Sequence, residues 1–236
     1  MAPPMEWFFA DLDSAVDGVV RLGAAESHHL VRVFRTRTGD IVTLTDGRGT
    51  AAEAELIDGD PRGARCAIGA IRRIAPPPCH FLTVALSTIR PNRMDWAIEK
   101  LTELGVGAIQ PLHCRHTSVT AFKRDHLLKL MHGAVKQSRQ AWLPRLADPV
   151  PFDDDFATDG PVFLAHLDPE SHPLTATALP EAGPATIVIG PEGGFSDSEI
   201  ALARQRGYRF IALAATVLRT ETAAVTAAAQ CNLLRS

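Results

Sequence analysis

Three stretches of the chain gather residue types that can do chemistry. The first is Ile189-Gly190-Pro191-Glu192-Gly193-Gly194-Phe195-Ser196-Asp197-Ser198-Glu199, where an apolar run empties into a loop holding three glycines. Glycine lets backbone approach a bound molecule with no Cβ in the way, and in α/β sheets ligands sit at the carboxyl ends of strands. A turn alone needs one glycine; three point to a ligand. Ser196 and Glu199 have the spacing of a capping box, so a helix is predicted to start at Asp197 and to fix the loop's exit. The loop lacks both the Gly-Lys-Ser/Thr ending of a Walker loop and the Gly-x-Gly-x-x-Gly of a dinucleotide site, which argues against both.

The second stretch is Leu213-Ala214-Ala215-Thr216-Val217-Leu218-Arg219-Thr220-Glu221-Thr222-Ala223-Ala224, a loop running into a helix of small residues. Glu221 is favoured near a helix N-terminus by the macrodipole, and Thr220 suits the N-cap. Arg219 has no such reason to be there: its charge is unfavourable at that end unless it meets an anion or a carboxylate. The third stretch opens with Arg90-Pro91-Asn92-Arg93 and carries Glu99 and Glu103 one helical turn apart; Lys136-Gln137-Ser138-Arg139 follows downstream. Arg90, Arg93, Lys136 and Arg139 are candidates for phosphate contacts, for which the planar guanidinium fork is well matched. His28-His29, and His113 with His116, lack a third ligand at metal spacing, and no His-Glu-x-x-His occurs, so no metal is expected. His166 closes an apolar run and reads equally as a pocket residue or a core histidine. Cys66, Cys79, Cys114 and Cys231 lie far apart with no Cys-x-x-Cys pair, which predicts reduced, buried thiols.

These residues need a frame. Strands are predicted at Asp40 to Thr45, Thr50 to Ile57 and Ala64 to Ile74, after a short helix over Glu26 to Arg35, which makes a small β-rich unit. Pro76-Pro77-Pro78 breaks regular structure and marks a boundary between domains 1–75 and 76–236. Beyond it the pattern alternates. Apolar runs at Phe81 to Ser87, Val106 to Leu112, Pro161 to His166, Ala185 to Ile189 and Tyr208 to Leu213 read as strands. Helices are predicted at Asp95 to Leu104, with an apolar stripe including Trp96, and at Lys123 to Ala141, Asp197 to Arg206 and Glu221 to Leu234. That alternation argues an α/β domain with a mainly parallel sheet.

With 236 residues and 46% apolar composition, the chain can bury ordinary globular cores, which excludes a disordered tail. It has no uninterrupted apolar run of roughly 18 residues, and its start lacks a basic then apolar leader, so a cytoplasmic protein with no membrane partner is expected. The net charge of −3 conceals a polarised chain: 87–145 holds ten basic and four acidic side chains, whereas 148–199 holds eleven acidic and none basic.

Five pieces in order resemble the ribosomal RNA small subunit methyltransferase E family: His28-His29-Leu30-Val31-Arg32-Val33-Phe34-Arg35, Glu99-Lys100-x-Thr-Glu-Leu-Gly, Lys136-Gln137-Ser138, Gly190-Pro191-Glu192-Gly193-Gly194, and Leu218-Arg219-Thr220-Glu221-Thr222-Ala223. The resemblance spans nearly the whole chain. It implies a PUA-like β-barrel for RNA followed by a SPOUT α/β domain tied in a deep trefoil knot. The implied activity is methylation of N3 of a uridine in 16S ribosomal RNA of the small subunit, with S-adenosylmethionine as cofactor. The cofactor would be held by Leu164, His166, Gly190, Pro191, Glu192, Gly193, Leu213, Ala214, Val217, Leu218, Arg219 and Thr220, with Arg219 and Glu221 in the chemistry. Glu221 and Glu192 stay open as alternative bases. The implied assembly is a homodimer through the C-terminal domain, for which the Ala-rich stretch Ala223 to Ala229 offers a close-packing face. The family usually has Leu-Gly-x-Arg where this chain has Leu213-Ala214-Ala215-Thr216. An RNA-binding assembly module without catalysis and a ribose 2′-O-methyltransferase are the alternative readings.

Overall fold

The computed structural model describes residues 7–156, 160–175, 179–180 and 183–235. They form two compact units: residues through Pro76 with His132–Leu143, and Pro77–Met131 with Pro144 onward.

The first unit contains β1 (Trp7–Phe9), β2 (Val19–Arg21), α1 (Ala24–His28), β3 (Ile41–Thr45), β4 (Thr50–Asp58) and β5 (Arg65–Arg73). One sheet runs in the order β1-β3-β4-β5-β2, antiparallel except for the parallel pair β1 and β3. The β3–β4 hairpin turns on Asp46, whose Oδ1 accepts the amide hydrogens of Arg48 at 2.7 Å and Thr50 at 3.0 Å. All five strands feed one core, from Phe8 and Val20 on the edges to Leu44, Leu56 and Cys66 in the middle. The helix predicted over Glu26 to Arg35 is two pieces: α1 continues as a wider π-type turn, His29–Val33, closed by the Phe34 amide on the His29 carbonyl at 3.0 Å.

The second unit contains β6 (Leu82–Ser87), α2 (Pro91–Glu103), β7 (Ala108–His113), α3 (Arg124–Ser138), β8 (Arg145–Leu146), β9 (Val150–Pro151), β10 (Val162–Ala165), β11 (His172–Pro173), β12 (Ala185–Ile189), α4 (Asp197–Gln205), β13 (Arg209–Ala212) and α5 (Thr220–Leu234). The end of α3 counts with the first unit. The sheet order is β11-β13-β10-β12-β6-β7-β8, β9 also pairing with β7, and every pairing is parallel. Parallel strands covered on both faces read as continuous apolar runs, and every residue of β6 and β12 is buried. In α2 the buried stripe is Met94, Ala97, Ile98 and Leu101. Trp96, expected in that stripe, is 43% exposed, because its position turns it away from the 94/97/98/101 face. On α5, Ala224, Ala227 and Ala228 are fully buried against the chain's own α2 and β6. Of the stretch expected at a dimer interface, Ala223 and Ala229 remain partly exposed.

In the first unit, Lys136 Nζ donates to Glu26 Oε1 at 2.8 Å and lies 3.3 Å from His29 Nδ1. The other Glu26 oxygen accepts the Phe9 amide hydrogen at 3.2 Å, and the Phe9 ring stacks on His132 with centroids 4.4 Å apart. Burial lowers the His132 pKa below its ordinary value; Glu26 opposes that shift and Lys136 adds to it. All four cysteines are free and buried. Burial pushes the Cys66 thiol up to about 11, and burial with the nearby Glu199 charge pushes Cys114 to about 12. Among the described residues no helix is long and apolar enough to cross a membrane, and no group of three or more His, Cys, Asp or Glu is placed to hold a metal ion.

Candidate active site

In the second unit, the neighbouring strands β13, β10 and β12 run parallel, so the segments that follow them leave the sheet on one side. Those segments surround a cavity of about 650 Å³. Ala165, His166 and Leu167 line it after β10, Gly190 to Glu192 with Gly194 and Phe195 after β12, and Leu213, Ala214 and Thr216 to Thr220 after β13. Arg93, from the first turn of α2, completes the wall. The structure thus brings His166, Gly190, Pro191, Glu192, Leu213, Ala214, Val217, Leu218, Arg219 and Thr220 to one cavity. Leu164 and Gly193 are not in its lining: Leu164 is wholly buried in the sheet's core, and Gly193 turns toward His116.

Local chemistry sets the loop after β12. A Cβ on Gly190 would lie 2.8 Å from the Phe195 ring, and a Cβ on Gly193 would lie 3.0 Å from the Cβ of His116. Gly194 has φ +73°, a left-handed conformation that a side chain would strain. The capping box at α4 is complete: Ser196 Oγ receives the Glu199 amide hydrogen, and Glu199 Oε2 accepts the Ser196 amide hydrogen at 2.8 Å. The other Glu199 oxygen accepts the Arg115 amide hydrogen at 2.8 Å, so one buried carboxylate fastens the segment after β7 to the start of α4. Sequence spacing shows the first bond and cannot show the second, made 84 residues away. Thr220 is not the N-cap of α5. Arg219 is, without a side-chain cap bond, while Thr220 is the first helical residue and its Oγ1 donates to the Gly190 carbonyl at 2.9 Å, joining two walls of the cavity.

Charge is where the structure departs most from the sequence reading. Arg93, a phosphate candidate, instead pairs with Glu192 through Nη1 and with Glu221 through Nε, the latter at 3.7 Å. Lys136, another, is only 15% exposed and is held by Glu26. Both cations are committed to carboxylates far away in sequence, which no local pattern reveals. Arg90 and Arg139 are exposed. Arg219 is exposed at the cavity and makes no ion pair among the described residues. Glu221 is buried and outside the lining, and its Oε2 has no hydrogen-bond partner among the described residues. Glu192 lines the cavity with its side chain 39% exposed.

Comparison with known proteins finds relatives along nearly the whole chain. A family model described as an RNA methyltransferase domain matches residues 76–232, and one described as an RNA methyltransferase PUA domain matches 22–69. A ribosomal RNA small subunit methyltransferase E of Synechocystis sp. is 31% identical over 230 residues, covering 94% of this chain and 75% of that one. The crystal structure of a probable rRNA-methyltransferase from Porphyromonas gingivalis superposes with a TM-score of 0.87 at 28% identity, covering 98% of both chains. A ribosomal RNA small subunit methyltransferase E from Neisseria gonorrhoeae, solved bound to S-adenosyl methionine, has the same TM-score at 27% identity, with 98% of each chain covered.

Proposed function

Because the chain belongs to the ribosomal RNA small subunit methyltransferase E family, we propose that it methylates N3 of a uridine in 16S ribosomal RNA of the small subunit, using S-adenosylmethionine. The observation that carries this is the cavity at the ends of β10, β12 and β13, with its glycine loop and its two arginines. Its volume lies within the range of cofactor pockets. Its lining fits an adenosyl and amino-acid ligand: apolar Ile189, Leu213 and Leu218 for a base, and small Ala165, Gly190 and Ala214 where backbone must come close. S-adenosylmethionine supplies a methyl group made electrophilic by a sulfonium.

The chain's residues have two tasks. Uridine N3 carries a proton that must leave, and negative charge then spreads to the uracil carbonyl oxygens. Arg219, with its guanidinium unspent on any carboxylate among the described residues, stabilises that charge, an electrostatic role that is often the largest single contribution to catalysis. Of the two carboxylates considered as base, Glu192 lines the cavity and Glu221 does not. Exposed Arg90 and Arg139 contact RNA phosphates, and the PUA-like unit extends that contact. The assignment of 1–75 to RNA binding and 76–236 to catalysis belongs to the same reading, with His132–Leu143 packed on the first unit. So do the trefoil knot that the family resemblance implies, a homodimer through the C-terminal domain, and a cytoplasmic site of action. The test is nucleoside mass spectrometry of 16S ribosomal RNA from a strain lacking the protein. Loss of N3-methyluridine is expected; loss of a ribose-methylated nucleoside instead, or no loss, would overturn the assignment.

A further inference from the structure

We infer that Glu221 acts only through Arg93: of this pair it is the guanidinium that reaches the reaction cavity, and Glu221 is its positioning residue. This deepens the methyltransferase reading above and rests on it. Three segments distant in sequence meet here, the first turn of α2, the loop after β12 and the first turn of α5. Arg93 sits in the first helical turn, where the macrodipole disfavours a cation, and it is held there by Glu192 and by Glu221. Arg93 lines the cavity and Glu221 does not. The Glu221 side chain is only 10% exposed, and its one ion-pair partner among the described residues is Arg93. A carboxylate that is buried and outside the lining is badly placed to take a proton from a base lying in the cavity. It can fix where the guanidinium points. Removing it would leave Arg93 tied to Glu192 alone, with one of two anchors gone.

The experiment is a double-mutant cycle on single-turnover methyl transfer to small ribosomal subunits from a strain lacking the protein, at saturating S-adenosylmethionine. Arg93→Ala should slow transfer by about 100-fold, the usual cost of one electrostatic donor. Glu221→Gln should slow it less, and the double variant should be no slower than Arg93→Ala, because the second change acts on a group already gone. Guanidinium ion added to Arg93→Ala should restore part of the rate, and should fail to do so in the double variant, whose hole lacks the anchoring carboxylate. Arg93→Lys should fall between, since one ammonium cannot reproduce the two-sided fork. If Glu221→Gln does not fold, Glu221→Asp, which withdraws the carboxylate by one methylene, serves in the same cycle. Losses that multiply, a larger loss for Glu221→Gln than for Arg93→Ala, or equal guanidinium rescue in both backgrounds would overturn the positioning role. A wild-type protein that transfers no methyl group in this assay would overturn the methyltransferase reading and this proposal together, whereas multiplying losses in an active enzyme overturn the proposal alone.

Discussion

Arg219 and Arg93 border the same cavity, yet one is spent on two carboxylates and the other on none among the described residues. Arg219→Ala should therefore lower single-turnover methyl transfer by about 100- to 1,000-fold while leaving the S-adenosylmethionine dissociation constant within a few-fold. Unchanged turnover at saturating cofactor would reduce Arg219 to a structural residue. The glycines divide in the same way. Gly190→Ala puts a methyl group 2.8 Å from the Phe195 ring on the cavity wall, whereas at Gly193 the new Cβ meets His116 outside the lining. Calorimetry should show a larger loss of S-adenosylmethionine affinity for Gly190→Ala than for Gly193→Ala; the reverse order would mean that the cofactor lies on the other side of the loop. Ten of the twelve residues that the resemblance assigned to the cofactor line one cavity; the apolar runs marked the strands that end there, but no strand order could be read from the sequence, so it was the resemblance that grouped them. The employment of Arg93 was not legible, since its partners lie 99 and 128 positions away and residue type alone suggested phosphate.

Elements were readable in proportion to how local their causes are. The start of α4 follows from Ser196 and Glu199, three residues apart, and it falls at Asp197 as the spacing requires. The π-type turn after α1 has no such signature. The end of α3 carries helical periodicity and says nothing about which unit it packs on; Lys136 and His132 settle that through Glu26 and Phe9. A pH dependence follows. Burial holds the His132 pKa in the folded chain below the 6.5 of an unperturbed imidazole, so the unfolded chain takes up a proton more readily. His80, partly buried in the second unit, is shifted in the same direction by that burial. Folded stability should be level between about pH 7 and pH 8 and fall as pH drops through 6.5, an effect readable in thermal melts between pH 8 and pH 5. His132→Asn should flatten that slope, and an unaltered slope would show that the imidazole is not its source.

Across the whole molecule, charge of one sign is concentrated by segment, ten basic side chains in 87–145 and eleven acidic in 148–199. Phosphate contacts release counterions, so RNA affinity should fall with salt, and reversing Arg90 and Arg139 to Glu should weaken RNA binding and reduce the salt slope without changing S-adenosylmethionine affinity. Reversing Arg93 should instead damage transfer, and equal losses of RNA affinity from all three would return Arg93 to the phosphate surface. The all-parallel sheet has a consequence for how the molecule comes into being. No two neighbouring strands of the second unit can zip together as a hairpin, and every pairing waits for a crossover to close, a topology of distant contacts that folds slowly. The cavity wall draws on residues from Arg93 to Ala223 and is pinned by Thr220 on Gly190, so no fragment of the sheet contains it. Recovery of S-adenosylmethionine binding after dilution from denaturant should accordingly lag behind recovery of helical signal and coincide with the slowest refolding phase, making the ligand a clock for the last step of assembly.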